Sequence, residues 1–206
     1  KCRYGPAHAW TPWFSIFGAM SGFDTLEEAF EELAPHVHAI ETGLSSDPEM
    51  NWRLSKLDGL ALISNSDSHS LHKIGRECNI LNTEFSYSGV ATALKKDEER
   101  EGQKIMMTIE FFPEEGKYHV DGHRNCGVRM LPSESIKKNN ICAVCGKDVT
   151  IGVLHRVEEL ADRPDGFQLK NSSPFKKLIP LQEIIGEAFG TGSETTGVLV
   201  EYRKLI

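Results

Sequence analysis

Two close pairs of soft-cation donors constrain this chain more than any other feature. They are His123-x-x-Cys126 and, after 15 intervening residues, Cys142-x-x-Cys145-Gly146-Lys147. Each two-residue spacer forms a tight knuckle that aims two donors at one ion, and Gly146 suits such a turn. Four donors fill a tetrahedron and leave no open coordination position, so the spacing predicts a structural zinc site. Two other readings stay open: His119 as the fourth donor, or a pair of buried thiols beside a surface histidine.

The cysteine count supports a metal over a disulfide framework. There are five cysteines, an odd number, and no charged-then-apolar opening segment of a secretory kind. Cys2 and Cys78 stand apart and read as small buried hydrophobes. A reducing cytoplasm is the expected setting. No run of 18 apolar residues occurs, so no membrane span is expected. The net charge of −7 argues against simple electrostatic coating of a nucleic acid. That charge is uneven, however: residues 1–116 carry 10 basic and 19 acidic side chains, whereas residues 117–206 carry 13 and 11. The second part is the expected neighbour of phosphates.

The first part alternates helix and strand. Asp24 with Glu27 predicts a capped helix through Leu33, ended by Pro35, and 36–42 then reads as a strand. Asp47 before Pro48 predicts a second helix to about Leu57, and 60–64 reads as a strand buried on both faces. Such alternation implies a parallel sheet or an α/β barrel, with chemistry at the carboxyl ends of the strands. The charge-dense run 95–102 predicts a surface boundary, giving one unit over 1–100 and a second over 101–206. The second unit is expected to open with a hairpin, strand 104–111 and return strand 117–120. Helices are expected near 151–160 and over 181–189. The final residues, 201–206, read as a strand cut short, and Lys1 stands where a Met would start a chain; the sequence is therefore read as a fragment.

Three further groups are candidate cation ligands. Asp67 and His69 lie two apart directly after the buried 60–64 run, where a carboxylate and an imidazole can converge on one ion. His8 stands between prolines and tryptophans in Pro6-Ala7-His8-Ala9-Trp10-Thr11-Pro12-Trp13. Glu41 ends the predicted strand before Thr42-Gly43; it reads either as a ligand at the same mouth or as an acceptor for nearby backbone N–H groups. His36 and His38 share a strand face and read as structural. Trp10, Trp13 and Trp52 read as core or as stacking platforms for bases. Lys147, Arg156, Arg163 and the Lys137-Lys138 pair are candidate phosphate contacts, or plain solvated surface.

These strings, together with Glu41-Thr42-Gly43-Leu44-Ser45-Ser46-Asp47-Pro48, Asn65-Ser66-Asp67-Ser68-His69 and Gly152-Val153-Leu154-His155-Arg156-Val157, resemble the endonuclease Q family. The resemblance runs in family order along nearly the whole chain. It implies α/β architecture: the C-terminal part of a distorted β/α barrel of the PHP (polymerase and histidinol phosphatase) type, then a small zinc-binding α+β domain. It implies a metal-dependent DNA repair endonuclease that nicks 5′ to deaminated bases such as uracil or hypoxanthine. By the same resemblance, His8, Asp67 and His69, with Glu41, match the catalytic cluster of magnesium, manganese or zinc ions. His123, Cys126, Cys142 and Cys145 match the structural zinc ligands. These 206 residues do not open with the HxH strand that begins a PHP domain, so this fragment alone is expected to be inactive without the N-terminal part of the same protein. Two alternatives remain: a PHP-type phosphoesterase of small molecules, and a non-catalytic zinc-ribbon module that binds nucleic acid.

Overall fold

The computed structural model describes residues 4–20, 22–96 and 102–206. Most of the boundary expected over 95–102, and Cys2, lie outside the described residues. Thr25 caps the first helix, α1 (Leu26–Phe30), by accepting from the Glu28 N–H at 3.1 Å. The helix therefore starts one residue later than Asp24–Glu27 suggested. It gives way to a 3-10 segment, Glu31–His36, that contains Pro35. His36 thus ends a helical turn and does not share a strand face with His38.

Strand β1 (Ala39–Glu41) follows, then α2 (Pro48–Trp52), capped by Asp47 through the Met50 N–H at 2.9 Å. Strand β2 (Ala61–Ile63) returns parallel to β1, pairing Ala39 with Ala61 and Glu41 with Ile63. The strand–helix–strand reading of the first part is borne out in this pair. Next come β3 (Cys78–Asn82), α3 (Tyr87–Ala93) and β4 (Lys104–Glu110). The predicted return strand at 117–120 does not form: β4 pairs antiparallel with β3, and its other edge takes β7 (Phe175–Lys177) in parallel. A sequence-distant strand wins the pairing that a local hairpin was expected to make.

A second small sheet, β5 (Asp121–His123) with β6 (Val128–Met130), carries the knuckle region. The helices α4 (Pro132–Lys137), α5 (Val153–Leu160), α6 (Leu181–Phe189) and α7 (Thr196–Leu205) complete the chain. The last of these corrects the strand reading of 201–206. There the charges fall at helical spacing, and Lys204 meets Glu201 at 2.8 Å. Among the described residues no helix is long and apolar enough to cross a membrane.

The main core draws on both halves of the chain. Trp10, Phe17, Leu26, Val37, Ile40, Leu54, Leu57 and Leu60 pack with Val153 and Val157, which are 0% exposed. Those two valines lie one helical turn apart on α5 and form its inward stripe. Trp10 stacks on Phe17, with centroids 4.8 Å apart, and its indole N–H donates to Asn51 Oδ1 at 2.8 Å. Trp10 and Trp52 are therefore core residues. Replacing Phe17 by Ala removes a ring that is 1% exposed, and is expected to cost about 3–5 kcal/mol. Equilibrium denaturation in urea measures it.

Candidate functional site

Two sites are built by this fold. The first is the knuckle pair. Arg124–Cys126 form a 3-10 turn closed by Gly127. The second knuckle is closed by Gly146 at φ +70°, a conformation only glycine adopts without strain, and the Gly146 N–H donates to Cys142 O at 2.9 Å. The donor atoms of His123, Cys126, Cys142 and Cys145 lie within 4.8 Å of one another, and Cys145 Sγ is 3.4 Å from His123 Nδ1. Three thiols this close cannot all ionise unaided. Burial pushes Cys142 up, but the backbone N–H groups of Cys145 and Val144 outweigh it and bring the thiol down to about 7. Burial and the neighbouring Cys145 and Cys142 push Cys126 up to about 11. A divalent cation removes that conflict, so the donor chemistry fits a metal. His119 is not the fourth donor: it is buried, with its ring nitrogen 3.2 Å from Ser45 O.

The second site is a cleft of about 470 Å³ beyond the carboxyl ends of β1 and β2. His8, Asp67, Arg76, Lys117, Trp13 and Tyr118 are among its lining residues. The loop bearing His8 is fastened to β1, since the Ala9 N–H donates to Glu41 O at 3.2 Å and the His8 N–H to Glu41 Oε2 at 2.5 Å. Gly43 packs so closely there that a Cβ would stand 3.0 Å from His8 Cα. The Thr11 hydroxyl donates to Trp13 O at 3.1 Å and stands 3.3 Å from His8 Nδ1. His69 Nδ1 donates to Asp67 O at 2.9 Å. A carbonyl oxygen can only accept, so this contact places a proton on His69 Nδ1.

The structure does not gather the sequence-predicted ligands into one chelate. His8 and Asp67 share the cleft, but the His69 ring stands outside its lining, 86% exposed and 3.9 Å from the Asp67 carboxylate. Among the described residues, the knuckle set is the one group of three or more His, Cys, Asp or Glu side chains placed to hold a metal ion. Glu41 is 7% exposed, does not line the cleft, and accepts from His8 N–H and from Asn65 Nδ2 at 2.7 Å. Of its two readings, the structure shows the acceptor.

Two of the expected phosphate contacts are occupied internally. Arg156 donates to Phe17 O, Phe23 O, Asp24 and Glu159. Arg163 grips Asp58 through both terminal nitrogens at 2.7 and 2.5 Å, donates to Trp52 O, and stacks 4.4 Å over Phe167. These arginines staple the second half of the chain to the first. Lys147 is exposed on the second knuckle, and Lys137 and Lys138 are exposed at the end of α4.

The residues that sequence reasoning passed over are Arg76, Lys117, Tyr118 and Phe14 at the cleft. Arg76 is aimed by its Nε, which donates to Ser66 O at 2.9 Å. Lys117 lies 4.9 Å over Tyr118, and Tyr118 meets Trp13 edge-on at 5.7 Å. No local motif marks them; only the pairing of distant loops brings them to one mouth.

Glu77, beside Arg76, is 2% exposed. One of its oxygens accepts from the Phe111 N–H at 2.9 Å, and the other has no partner. Burial pushes its carboxyl up from 4.5 to about 7; the Phe111 N–H opposes this, Glu110 adds to it and Arg76 opposes it. The folded state thus holds this proton more tightly than the unfolded chain. Its contribution is full below pH 4.5 and is lost as pH rises to about 7. Relative to Glu77→Gln, the wild type is expected to lose about 3 kcal/mol across that window, at about 1.4 kcal/mol per pH unit. Urea denaturation of both proteins at several pH values checks it.

No family model matches the chain. It is 32% identical over 207 residues to the uncharacterized protein MJ0043 of Methanocaldococcus jannaschii, covering 97% of this chain and 25% of that protein. It is 34% identical over 199 residues to the uncharacterized protein YqxK of Bacillus subtilis, covering 90% of this chain and 48% of that protein. The chain therefore spans a quarter to a half of the length of these curated relatives. Among solved structures it is similar to the lesion-specific endonuclease PfuEndoQ from Pyrococcus furiosus, with a TM-score of 0.82, 30% identity, and 98% of this chain and 48% of that chain covered. It is likewise similar to endonuclease Q in complex with a 27-mer duplex with an abasic lesion at the active site, with a TM-score of 0.85, 30% identity, and 98% and 49% covered. The mixed α/β fold and the cation-competent knuckle agree with that likeness: in fold, this chain is similar to about half of endonuclease Q.

Proposed function

We propose that this chain is part of a DNA repair endonuclease that nicks the phosphodiester 5′ to deaminated bases such as uracil or hypoxanthine. The observation that carries the reading is the cleft itself. It presents His8 and Asp67 among aromatic and basic side chains, in a chain of the same fold as an endonuclease Q bound to lesion-bearing duplex. The donors fit divalent cations in kind: two imidazoles and an Asp67 carboxylate that is half exposed. His8, Asp67 and His69 would hold magnesium, manganese or zinc, which when bound supplies the charge that polarises a phosphodiester and lowers the pKa of water. Arg76 and Lys117 pair with backbone phosphates at the cleft wall. Trp13 and Tyr118 offer ring faces and edges to a base taken out of the stack. Three donors are too few for a full cation cluster, so the 206-residue chain is expected to nick little without the further donors of a longer protein. The sequence division near residue 100 becomes a division of labour, with most of the cleft in the first part and the knuckle in the second.

The test is full-length protein with Mn²⁺ or Mg²⁺ and a duplex carrying one uracil or one hypoxanthine. A nick 5′ to the altered base is expected, and Asp67→Ala should lower its rate about a hundredfold or more, the scale for removing a charged group at a reacting centre. No nick by the intact protein rejects the reading. The cleft volume of about 470 Å³ also suits a small ligand, which favours a phosphoesterase of small molecules as the second reading. Faster turnover of phosphate monoesters than of damaged DNA selects it.

For the knuckle, we infer one bound zinc ion with a structural role. Elemental analysis is expected to find one zinc per chain in the wild type and less than about a tenth of that in Cys142→Ser, with a lowered melting temperature.

A further inference from the structure

We propose that Glu41 is a positioning residue: its carboxylate is the clamp that sets the His8 loop against the Asn65–His69 loop. The inference takes from the reading above only what His8 and Asp67 do; the clamp stands on its own geometry. Glu41 ends β1 and is buried, and each oxygen holds a different loop: Oε2 takes the His8 N–H at 2.5 Å, and Oε1 takes Asn65 Nδ2 at 2.7 Å. Neighbouring backbone groups fix the direction of every donor. The Ser64 N–H can only donate, so it faces Asn79 Oδ1 at 2.9 Å. Asn79 Nδ2 then faces Ser64 O at 2.7 Å and Asn65 Oδ1 at 3.2 Å. Asn65 is left with its amide N–H groups toward Glu41. A relay therefore runs from β3 through Asn79 and Asn65 to Glu41 on β1 and on to the His8 backbone.

What the clamp holds is strained. His8 has φ +32° and Asp67 φ +43°, both in the left-handed region that non-glycine residues enter only when their surroundings fix them. Glu41 is bound on one side to His8 itself, and on the other to a residue two positions before Asp67. It acts on the cleft through these two loops.

The relay makes a reciprocal swap possible. In Glu41→Gln the side chain has one acceptor and one donor end, so it meets either His8 N–H or Asn65 Nδ2 with a donor facing a donor. In Asn65→Asp two carboxylates face each other. In the double variant the new amide at position 41 accepts from His8 N–H through its oxygen and donates through its nitrogen to the new carboxylate at position 65. The other oxygen of that carboxylate still accepts from Asn79, so the charge is moved, not removed.

Two readouts are taken on the 206-residue chain. Amide exchange at His8 is expected to speed about tenfold or more in each single variant, the effect of losing one charge-assisted hydrogen bond, and to return to within about threefold of wild type in the double. Mn²⁺ titration, read as broadening of the His8 and His69 ring signals by NMR, is expected to need about tenfold more Mn²⁺ in the single variants and to recover in the double, the change that follows if each lost bond passes in full to the cation site. A double variant as unprotected as the singles, or His8 exchange unchanged in Glu41→Gln, overturns the proposal. Restored exchange without restored Mn²⁺ response also overturns it, by making Glu41 itself a ligand. If the wild-type rings ignore Mn²⁺ while exchange follows the expected pattern, the clamp holds and only the cation reading of the cleft falls.

Discussion

Two sheets that share no strand ladder are held together in this protein by buried side chains at their ends. Thr42, just past β1, donates its hydroxyl to Glu110 Oε2 at 2.9 Å. Ser64, just past β2, donates to Ile109 O at 2.9 Å and is gripped on its backbone by Asn79. Glu110 is 0% exposed; burial pushes its carboxyl up, while the hydroxyls of Thr108, Thr42 and Ser64 oppose that shift. Each such bond contributes only about 1 kcal/mol net, yet a buried group left unpaired costs about 1–3 kcal/mol. The junction is therefore specific more than strong: slipping β1–β2 against β3–β4 by one residue would orphan several groups at once. The loops that follow β1, β2 and β4 into the cleft leave from this junction, so its geometry is inherited by that side of the site.

The unusual backbone also gathers at the cleft. His8, Phe14 and Asp67 all have positive φ, and all three line the cleft. Such conformations cost about 1–3 kcal/mol each and persist where surrounding contacts over-determine them. The price here is met by the core beneath. Ala9 and Trp10, next to His8, are 0% and 1% exposed, and Trp10 is locked to Asn51 on α2. Phe14, by contrast, is 93% exposed, an apolar ring held out at the lip of the cleft.

What the sequence disclosed follows from how local each feature is. The knuckle ligands were legible because two residues of spacing and a following glycine are enough to build each half. The helix over 181–189 was legible to the residue, since Pro180 and Gly190 punctuate an amphipathic run. Arg156 and Arg163 misled because a basic side chain shows its charge in the sequence but not its partner. Asp24 lies 132 positions from Arg156, and Asp58 lies 105 from Arg163. The hairpin reading of 104–120 failed for a related reason. β4 was itself well predicted, but its partners are β3 before it and β7 some 65 residues after it, and neither neighbour is announced locally. Arg76 and Lys117 reach the cleft by the same long-range closure. Glu41 sits between these cases, because its end-of-strand position was visible and its two hydrogen-bond partners were not.

The knuckle and the cleft are mechanically joined, and the joint is polar. Asp121 opens β5, two residues before His123, and is 0% exposed. One of its oxygens accepts from the Gly152 N–H at 2.7 Å, and the other accepts from His155 Nδ1 at 2.6 Å. These two contacts set the start of α5, whose Val153 and Val157 fill the core under Trp10. From the other side, His119 meets Ser45 O, and a Cβ on Gly116 would stand 2.7 Å from Ser45 Oγ, so the segment leading into β5 lies flat on the loop after β1. A cation held at the knuckle would act on β5, and through Asp121 on the start of α5, whose valines pack in one core with Ala9 and Trp10. On this reasoning the knuckle's contribution to the cleft needs no direct contact with a ligand there. Any such contribution would run through the helix whose valines pack with Ala9 and Trp10, beside His8.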